Sequence, residues 1–301
     1  MTTTHTQHIC ACVCTFQRPE LLRKLLRGLE NQNTKESFSY SVVVTDNDPA
    51  QSAKTLVTNF ATTSRMRITY CSEPKPNIAM ARNKALANAE ADYIAFIDDD
   101  EVPAEDWLCR LLEACLAYEV DGVLGPVMPA FEKAPPEWVI KGKFFDRPTH
   151  ETGYQVKWEE ARTGNVLFKK NILEHGELPF RVEFDTAGED VDFFRRMMHK
   201  GRRFIWCNEA VVHELVPSSR CNRKYLLRRA LLRGSNFPKH PTDKAKNVAR
   251  SLIAVPCYAL ALPFFALWGQ HLFLKYLIKF LDHTSRLLAF LGLRLVSERQ
   301  T

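Results

Sequence analysis

Three clusters of polar side chains carry the groups that could do chemistry in this chain. They are Thr15 to Arg18, Asp46 to Asp48 and Asp98 to Asp100, and each follows an apolar run predicted as a strand. Open parallel sheets bind ligands at the carboxyl ends of their strands, so the three clusters are expected to share one crevice. Aspartate at a strand end is also ordinary turn chemistry, and no single cluster would establish a site. Their coincidence indicates one.

The triple aspartate Asp98–Asp100 is the most informative cluster. Asp98 and Asp100 are two residues apart and project from the same side of an extended chain. Two carboxylates this close repel each other unless a cation lies between them, and oxygen ligands of this kind suit Mg²⁺ or Mn²⁺. Neither the dinucleotide-binding pattern GxGxxG nor the P-loop pattern GxxxxGK[ST] occurs in the sequence, which argues against those two modes of nucleotide binding. The pattern therefore predicts a DxD-type metal site that neutralises a nucleotide diphosphate as leaving group.

The elements that must position these clusters alternate between strands and helices. Predicted strands are HICACVCTF, YSVVVTDND, MRITYC and YIAFI, and predicted helices start at Pro19, near Ala50–Phe60, in NIAMARNKALANAEA and at Pro103. This alternation is typical of βαβ units with a parallel sheet. After Gly122 the regularity fades: GVLGPV and TGNVLFKK are predicted strands, Phe131–Trp158 a long loop, and GEDVDFFRRMMHKG a helix that stops at Gly201.

Composition places the chain among ordinary globular proteins. The 301 residues are 46% hydrophobic and 25% charged, which excludes a disordered or fibrous chain. The nine cysteines include no CxxC pair, so a zinc site is not expected. Cys10, Cys12 and Cys14 would share one strand face and are interpreted as core residues in a reducing, cytoplasmic setting.

The C-terminal part combines basic and apolar segments. Ten Lys and Arg residues lie between Arg220 and Arg250 against the single acid Asp243, which indicates phosphates, lipid headgroups or nucleic acid as partner. Residues 251–274 then contain no charged side chain and are long enough to cross a bilayer as a helix. We expect membrane association through about residues 251–295, with the catalytic part on the cytoplasmic side. The alternative is a buried helical hairpin in a soluble subdomain.

Six motifs, in order, resemble those of family 2 glycosyltransferases, which are inverting enzymes of the GT-A fold. They are VCTFQRPELLRKLLRGL, VVVTDNDPAQSA, IAMARNKAL, YIAFIDDDEVPAEDWL, TGNVLFKKNIL and GEDVDFFRRMMHKG, between Ile9 and Gly234. The resemblance implies an α/β, Rossmann-like, mostly parallel sheet with flanking helices, followed by a C-terminal hydrophobic helical segment. We expect a GT-A domain over 1–240, with a nucleotide-binding half to about 125 and an acceptor half from about 126, and a membrane-associated tail over 241–301.

The resemblance also implies roles for single residues. Thr15 and Arg18 would contact the nucleoside, Asp46 the base (typically uracil), Arg82 the nucleotide, and Asp98 the ribose or sugar, with Asp99 assisting. Asp100 would bind Mn²⁺ or Mg²⁺, and His213 is a candidate to complete the metal shell. Glu189 and Asp190 would form the family's ED pair, with Asp190 as catalytic base and Glu189 and Asp192 as rival candidates.

The physics of an inverting transfer agrees with the role implied for Asp190. One carboxylate must take the proton of the acceptor hydroxyl, and a helix N-terminus keeps Asp190 ionised. No QxxRW signature occurs, so transfer of one sugar per acceptor is expected rather than processive synthesis. The segment NDPAQS departs from the small residues usual after the second strand, which weakens the base contact of Asp46.

These observations predict a membrane-associated, metal-dependent glycosyltransferase. It would move a sugar from a nucleotide diphosphate donor, UDP-linked by resemblance, to a hydroxyl of a lipid-linked or cell-envelope saccharide in polysaccharide biosynthesis, at the cytoplasmic face of the membrane. No nucleic-acid partner is expected. The alternative is a non-catalytic, membrane-tethered protein that binds nucleotide sugars or nucleic acid. A nucleotidyltransferase is disfavoured because a glycine-rich N-terminal loop is missing.

Overall fold

The computed structural model describes residues 6–174, 176–184, 188–236, 244–293 and 295–296. The chain divides into two compact units. The first comprises Met1–Met128 and Arg147–Leu215, and the second comprises Pro129–Asp146 and Val216–Thr301.

Strands and helices alternate through the first half of the chain, as the apolar runs predict. The strands are β1 (Gln7–Thr15), β2 (Phe38–Asp46), β3 (Arg67–Ser72), β4 (Tyr93–Ile97), β5 (Glu101–Pro103), β6 (Gly122–Leu124), β7 (Val127–Phe131), β8 (Asn165–Lys169), β9 (Phe204–Trp206) and β10 (Val212–Val216). The helices are α1 (Pro19–Glu30), α2 (Lys54–Thr63), α3 (Ile78–Asn88), α4 (Trp107–Ala117), α5 (Glu137–Gly142), α6 (Glu189–His199), α7 (Arg223–Ser235), α8 (Lys244–Leu267) and α9 (Gln270–Phe290).

The main sheet has seven strands in the order β3-β2-β1-β4-β8-β6-β9. The strands β3, β2, β1 and β4 are parallel, β8 runs antiparallel to both β4 and β6, and β9 is parallel to β6. The prediction of a mixed α/β fold with a mostly parallel sheet is confirmed. Thr15 pairs with Asp46 in the β1–β2 register, so the first two polar clusters leave the sheet at the same edge.

Both faces of this sheet are covered, which explains the unbroken apolar strands. One face of β1 packs with α1 through Ile9, Val13, Leu22 and Leu25, all fully buried. The opposite face of β1 carries Cys10 and Cys12, which belong to a second apolar cluster. The cysteines described are free thiols, and the interpretation of Cys10 and Cys12 as core residues is confirmed.

Several predicted elements have different bounds in the structure. Pro103 ends strand β5 instead of starting a helix, and α4 begins at Trp107. The segment GVLGPV contains parts of two strands, β6 and β7, and the predicted loop Phe131–Trp158 contains α5. These elements are three to six residues long, too short for a hydrophobic period to be recognised.

The second unit contains α5, α7, α8 and α9. A small core joins Val139 and Phe145 with Val216, Cys221 and Leu226, so residues from two distant stretches of chain pack together. The apolar run 251–274 does not form one helix, because α8 ends at Leu267 and α9 begins at Gln270, with Gly269 at φ +122° between them. Among the described residues, α8 is the one helix long and apolar enough to cross a membrane, on length and composition alone.

Candidate functional site

A cavity of about 370 Å³ opens at the carboxyl ends of β1 and β4. The side chains around it come from all three predicted clusters and from segments outside them: Cys14, Thr15, Phe16, Arg18, Asn47, Ile78, Arg82, Asp98, Asp99, Asp100, Arg147 and Glu214. The cavity therefore brings together Thr15, Arg18 and the triple aspartate, as expected for strand ends, with Arg82, which the family resemblance implies.

The acidic loop after β4 is contacted by the end of β1 and the loop that follows it. Thr15 Oγ1 donates to Asp99 Oδ2 at 2.8 Å, and Arg18 Nη1 lies 3.1 Å from Asp99 Oδ1 and 3.3 Å from Asp100 Oδ2. Burial raises the pKa of Asp99 to about 6, although Arg18 acts in the opposite direction. The guanidinium thus holds two of the three carboxyl groups together at the cavity wall.

A second arginine, Arg147, lies near Glu101, the residue that directly follows the triple aspartate. Glu101 is fully buried, and Arg147 lies 4.0 Å from its Oε1 while donating to Glu214 Oε2 at 2.6 Å. Burial raises the pKa of Glu101 well above its usual range. Gly164 passes so close that a Cβ there would stand 2.9 Å from Glu101 Oε1 and 3.1 Å from Asp98 Oδ2. The close approach of these carboxylates therefore requires glycine at this position.

The ion pair between Arg82 and Glu189 links α3 to the start of α6. Both side chains are almost entirely buried, and Arg82 Nη2 also lies 3.8 Å from Asp98 Oδ1. Burial raises the pKa of Glu189, and Arg82 opposes this shift. Asn77 caps α3 by accepting from Met80 N at 3.0 Å, which fixes the helix that carries Arg82. Arg82 therefore lines the cavity while being held by two acids.

Asp190 differs from its neighbours at the start of α6. Its Oδ1 accepts from Val191 N at 2.8 Å, and the residue is half-buried in the first helical turn. Asp192 is buried and bound by Arg196 Nε at 2.8 Å. Of the three acids in this turn, Glu189 and Asp192 are thus held by arginines within the protein, and Asp190 is the more accessible carboxylate.

Four predicted site residues are not among those that line the cavity: Asp46, Glu189, Asp190 and His213. Asp46 is fully buried, and its carboxylate accepts from Asp48 N, Ala53 N and Tyr70 Oη at 3.1, 2.8 and 3.2 Å. Asn47 lines the cavity in its place. His213 is exposed and pairs with Val102 between β10 and β5, whereas its neighbour Glu214 reaches the cavity.

The acidic residues of the cavity fit a divalent cation that takes only a few of its oxygen ligands from the protein. Within the residues that the structure describes, no group of three or more His, Cys, Asp or Glu side chains is arranged to hold a metal ion. Asp98 and Asp100 both line the cavity, with side chains 47% and 13% exposed. Mg²⁺ is commonly bound through one or two carboxylates plus substrate phosphates and water, and Mn²⁺ favours the same oxygen ligands. Asp98 and Asp100 would supply such a pair.

Sequence reasoning missed Arg147, Glu214 and Asn47. Arg147 lies in the segment that was expected to be a loop, where no period marks a functional residue. Glu214 could have been found from His213, because adjacent residues of a strand point to opposite faces and only one of the pair can face the acidic loop.

Comparison with known proteins supports the fold and the enzyme class. The family model described as "Glycosyl transferase family 2" matches residues 10–175. The chain is 35% identical over 250 residues to the succinoglycan biosynthesis protein ExoM of Rhizobium meliloti (strain 1021), covering 82% of this chain and 79% of that one. It is 32% identical over 221 residues to the galactofuranosyltransferase GlfT1 of Mycolicibacterium smegmatis, covering 68% and 70%.

Solved structures agree at the level of the fold. The crystal structure of S. aureus TarS 1-349 in complex with UDP-GlcNAc superposes with a TM-score of 0.54 at 14% identity, covering 96% of this chain and 93% of that one. The complex of the same protein with UDP gives 0.53 at 16% identity, covering 94% and 90%. The expected GT-A fold is confirmed. Because the family model spans more than half of the chain and ExoM matches most of it, the chain belongs to glycosyl transferase family 2 and is a glycosyltransferase.

Proposed function

We propose that this enzyme transfers a sugar from a UDP-linked donor to a hydroxyl of a lipid-linked or cell-envelope saccharide, with inversion at the anomeric carbon. The observation that carries the proposal is the cavity in which Asp98, Asp99 and Asp100 meet Arg18 and Arg82. A relative named for succinoglycan biosynthesis supports a polysaccharide product, and the TarS complexes with UDP and UDP-GlcNAc support the donor class.

The donor would lie along the edge of the sheet. Thr15, Arg18 and Asn47 line the part of the cavity after β1 and β2 and would contact the nucleoside. Asp98 and Asp100 would hold Mn²⁺ or Mg²⁺ at the diphosphate, where the ion supplies the positive charge that makes the nucleoside diphosphate a good leaving group. The described structure gives Asp46 no access to the cavity, so we assign it to holding the turn after β2 and Asn47 to the nucleoside.

Asp190 would act as the catalytic base. Its carboxylate takes the proton of the acceptor hydroxyl while that oxygen forms a bond to the anomeric carbon. The bond from the anomeric carbon to the phosphate oxygen breaks on the opposite face, and its electron pair leaves with the nucleoside diphosphate. Glu189 is buried against Arg82, so it would position Asp190 instead of exchanging protons with solvent.

We further propose that the enzyme works at the cytoplasmic face of the cell membrane, held there through about residues 251–295. The apolar helix α8 and the basic residues before it support this location. An acceptor that is itself lipid-linked would then reach the enzyme within the plane of the membrane.

The test is a transfer assay with the purified full chain in detergent. Nucleotide sugars of each base are incubated with Mn²⁺, an acceptor extract and, in parallel, a chelator. We expect UDP to be released from UDP-sugars only when the metal is present. NMR of the product should show an inverted anomeric configuration. Release from no nucleotide sugar, or a retained configuration, would contradict the proposal.

A further inference from the structure

Among the residues that the structure describes, most exposed apolar side chains lie in the last part of the chain. Ten of the sixteen large hydrophobic residues that are exposed lie between Leu252 and Leu295. Leu260, Phe264 and Leu267 have exposed fractions of 75%, 67% and 84%. Large exposed apolar patches on a folded protein mark a surface that another phase or molecule covers.

These residues form a continuous face on α8. Residues spaced three or four apart share one side of a helix, and one such row begins with cations and continues with apolar side chains. We define it as the α8 stripe: Lys246, Arg250, Ile253, Cys257, Leu260 and Phe264, all exposed.

The positive charge around the α8 stripe indicates that an anionic surface covers it. Helix α7 adds Arg223, Lys224, Arg228 and Arg229, all exposed, and the described residues of α7 and α8 include no acid. Lys239 and Asp243, which belong to the basic segment between Arg220 and Arg250, lie outside the described residues. A second copy of the chain would bring like charges together, whereas anionic lipid headgroups attract Lys and Arg.

The contacts of α8 argue against a helix that crosses the bilayer. Ser251 Oγ lies 2.9 Å from His283 Nδ1, and the rings of Phe265 and Tyr276 stack at 3.7 Å, so α9 runs antiparallel along α8. Lys279 lies on α9 between these two contacts and is exposed. A crossing α8 would therefore carry Lys279 into the hydrocarbon, where a charged side chain is costly.

The attachment of α7 strengthens this conclusion. Arg233 Nε lies 3.0 Å from Asp282 Oδ1, and Asp282 also pairs with Arg286 at 3.0 Å. A Cβ on Gly234 would stand 2.5 Å from the Asp282 carbonyl oxygen, so the basic helix α7 lies directly against α9. If α8 crossed the membrane, the ion pairs of Asp282 with Arg233 and Arg286 would be drawn toward the membrane as well.

We propose that the α8–α9 hairpin lies flat in the headgroup region of an anionic bilayer, with the α8 stripe dipped into one leaflet. This inference rests on the proposed membrane association and deepens it: the enzyme is monotopic rather than membrane-spanning. Lys246 and Arg250 would meet lipid phosphates, while Ile253, Leu260 and Phe264 would enter the acyl boundary.

The exposed thiol of Cys257 makes the orientation measurable. The other cysteines described are buried or half-buried, so an environment-sensitive fluorophore should attach to Cys257 in the folded full chain. In a Cys257→Ser background, Ile253→Cys and Phe264→Cys give two further positions. The protein is bound to phosphatidylcholine–phosphatidylglycerol vesicles, and quenching by lipids spin-labelled at shallow and deep positions reports the depth of each label.

A flat hairpin predicts the same shallow depth at all three positions. An upright helix would separate residues 253 and 264 by about 16 Å in depth, and a difference of that size would overturn the proposal. Arg250→Gln should weaken binding to the anionic vesicles by about fivefold, whereas the exposed Arg65→Gln in the first unit should leave it unchanged. Equal losses in both variants would also contradict the proposal.

Two controls separate this inference from its competitors and from the proposed function. Phe264→Ser should reduce binding of the protein to the vesicles. If the unaltered chain is instead a dimer that this substitution dissociates, and vesicle binding persists, a second copy of the chain covers the α8 stripe and the proposal is overturned. Release of nucleoside diphosphate in detergent should be the same for all these variants. If release fails for the unaltered chain while the labels lie flat, the proposed function fails and this inference stands.

Discussion

At the scale of single residues, neighbouring carboxylates take different tasks because their surroundings differ. Glu189 is buried against Arg82, and Asp190, one residue later, is half-buried and bonded to the start of its own helix. Both acids lie in the first turn of the same helix, but only the accessible one can exchange a proton with an acceptor. This contrast leads to two predictions.

Asp190→Asn should reduce the turnover number for glycosyl transfer by about 10²–10⁴-fold, which is the usual contribution of a general base. The KM for the donor should change little, because the amide keeps the shape of the carboxylate. Initial rates of nucleoside diphosphate release measure both. Asp106→Asn, a half-buried acid before α4 that pairs with Arg110, is the matched control. A variant at position 190 with more than a tenth of the normal rate would exclude Asp190 as the base.

Arg82→Met should lower the free energy of unfolding by about 3–5 kcal/mol, because it leaves Glu189 buried without its cation. Urea denaturation followed by circular dichroism measures the change. The double variant Arg82→Met/Glu189→Met should recover most of the loss, since no uncompensated charge remains. If the double variant were as unstable as Arg82→Met, the single-variant loss would come from packing instead of charge.

The sequence located part of this site and missed part of it for identifiable reasons. Thr15, Arg18 and Asp98–Asp100 could be predicted because a strand end fixes which edge of the sheet a residue reaches. Asp46 was predicted on the same ground, but strand position does not show whether a side chain turns inward, and Asp46 turns inward to accept three hydrogen bonds. Arg147 follows no period, so only the folded chain reveals it.

At the scale of elements, the strands on both sides of the sheet were predictable, including GVLGPV and TGNVLFKK, but the antiparallel direction of β8 was not. The strands β1, β2 and β4 are five to nine residues of apolar sequence, long enough to be recognised. Strand β8 inserts antiparallel between β4 and β6, and its direction depends on a long connection that carries no local signal. Asn165 at the start of β8 is the polar residue that secures this insertion.

Asn165→Leu should destabilise the first unit by at least about 2 kcal/mol, because several buried groups lose their partner at once. Asn165 Oδ1 accepts from Trp107 Nε1 at 2.8 Å, and its Nδ2 donates to the carbonyls of Pro126 and Ala210 at 3.0 and 2.7 Å. Thermal and urea unfolding measure the effect. Asn88→Leu, an exposed residue of α3 that donates to Lys84 O, should stay within about 0.5 kcal/mol. Equal effects of the two substitutions would contradict this role.

At the scale of the whole molecule, the proposed ligand should report on the fold that binds it. A nucleoside diphosphate that binds the folded chain alone stabilises it by about 2.7 kcal/mol at a hundredfold excess over Kd. We expect UDP with Mn²⁺ to raise the melting temperature and a chelator to remove most of the increase. Asp100→Asn should lose the metal-dependent part while keeping its own melting temperature without ligand. An identical increase with and without Mn²⁺ would argue against the metal site.

The distribution of contacts also shows where the sequence could not define the organisation of the chain. The boundary expected near residue 240 came from composition and stays a prediction. The contacts group Pro129–Asp146 with Val216–Thr301, and nothing local in the sequence announces that a short stretch belongs with a segment some seventy residues further on. Such a pairing is a property of tertiary packing.

The discontinuous second unit has a practical consequence for producing the protein. Stopping the polypeptide after α7 looks attractive, because it would remove the most apolar segment. It would also strip α9 from Gly234 and Ser235, and Ile278 from the small core that includes Val139. The shortened chain would expose the apolar surface that α9 covers, in place of the apolar side of α8. Recovery of soluble enzyme is better sought by making the outward side of α8 hydrophilic and leaving its length intact.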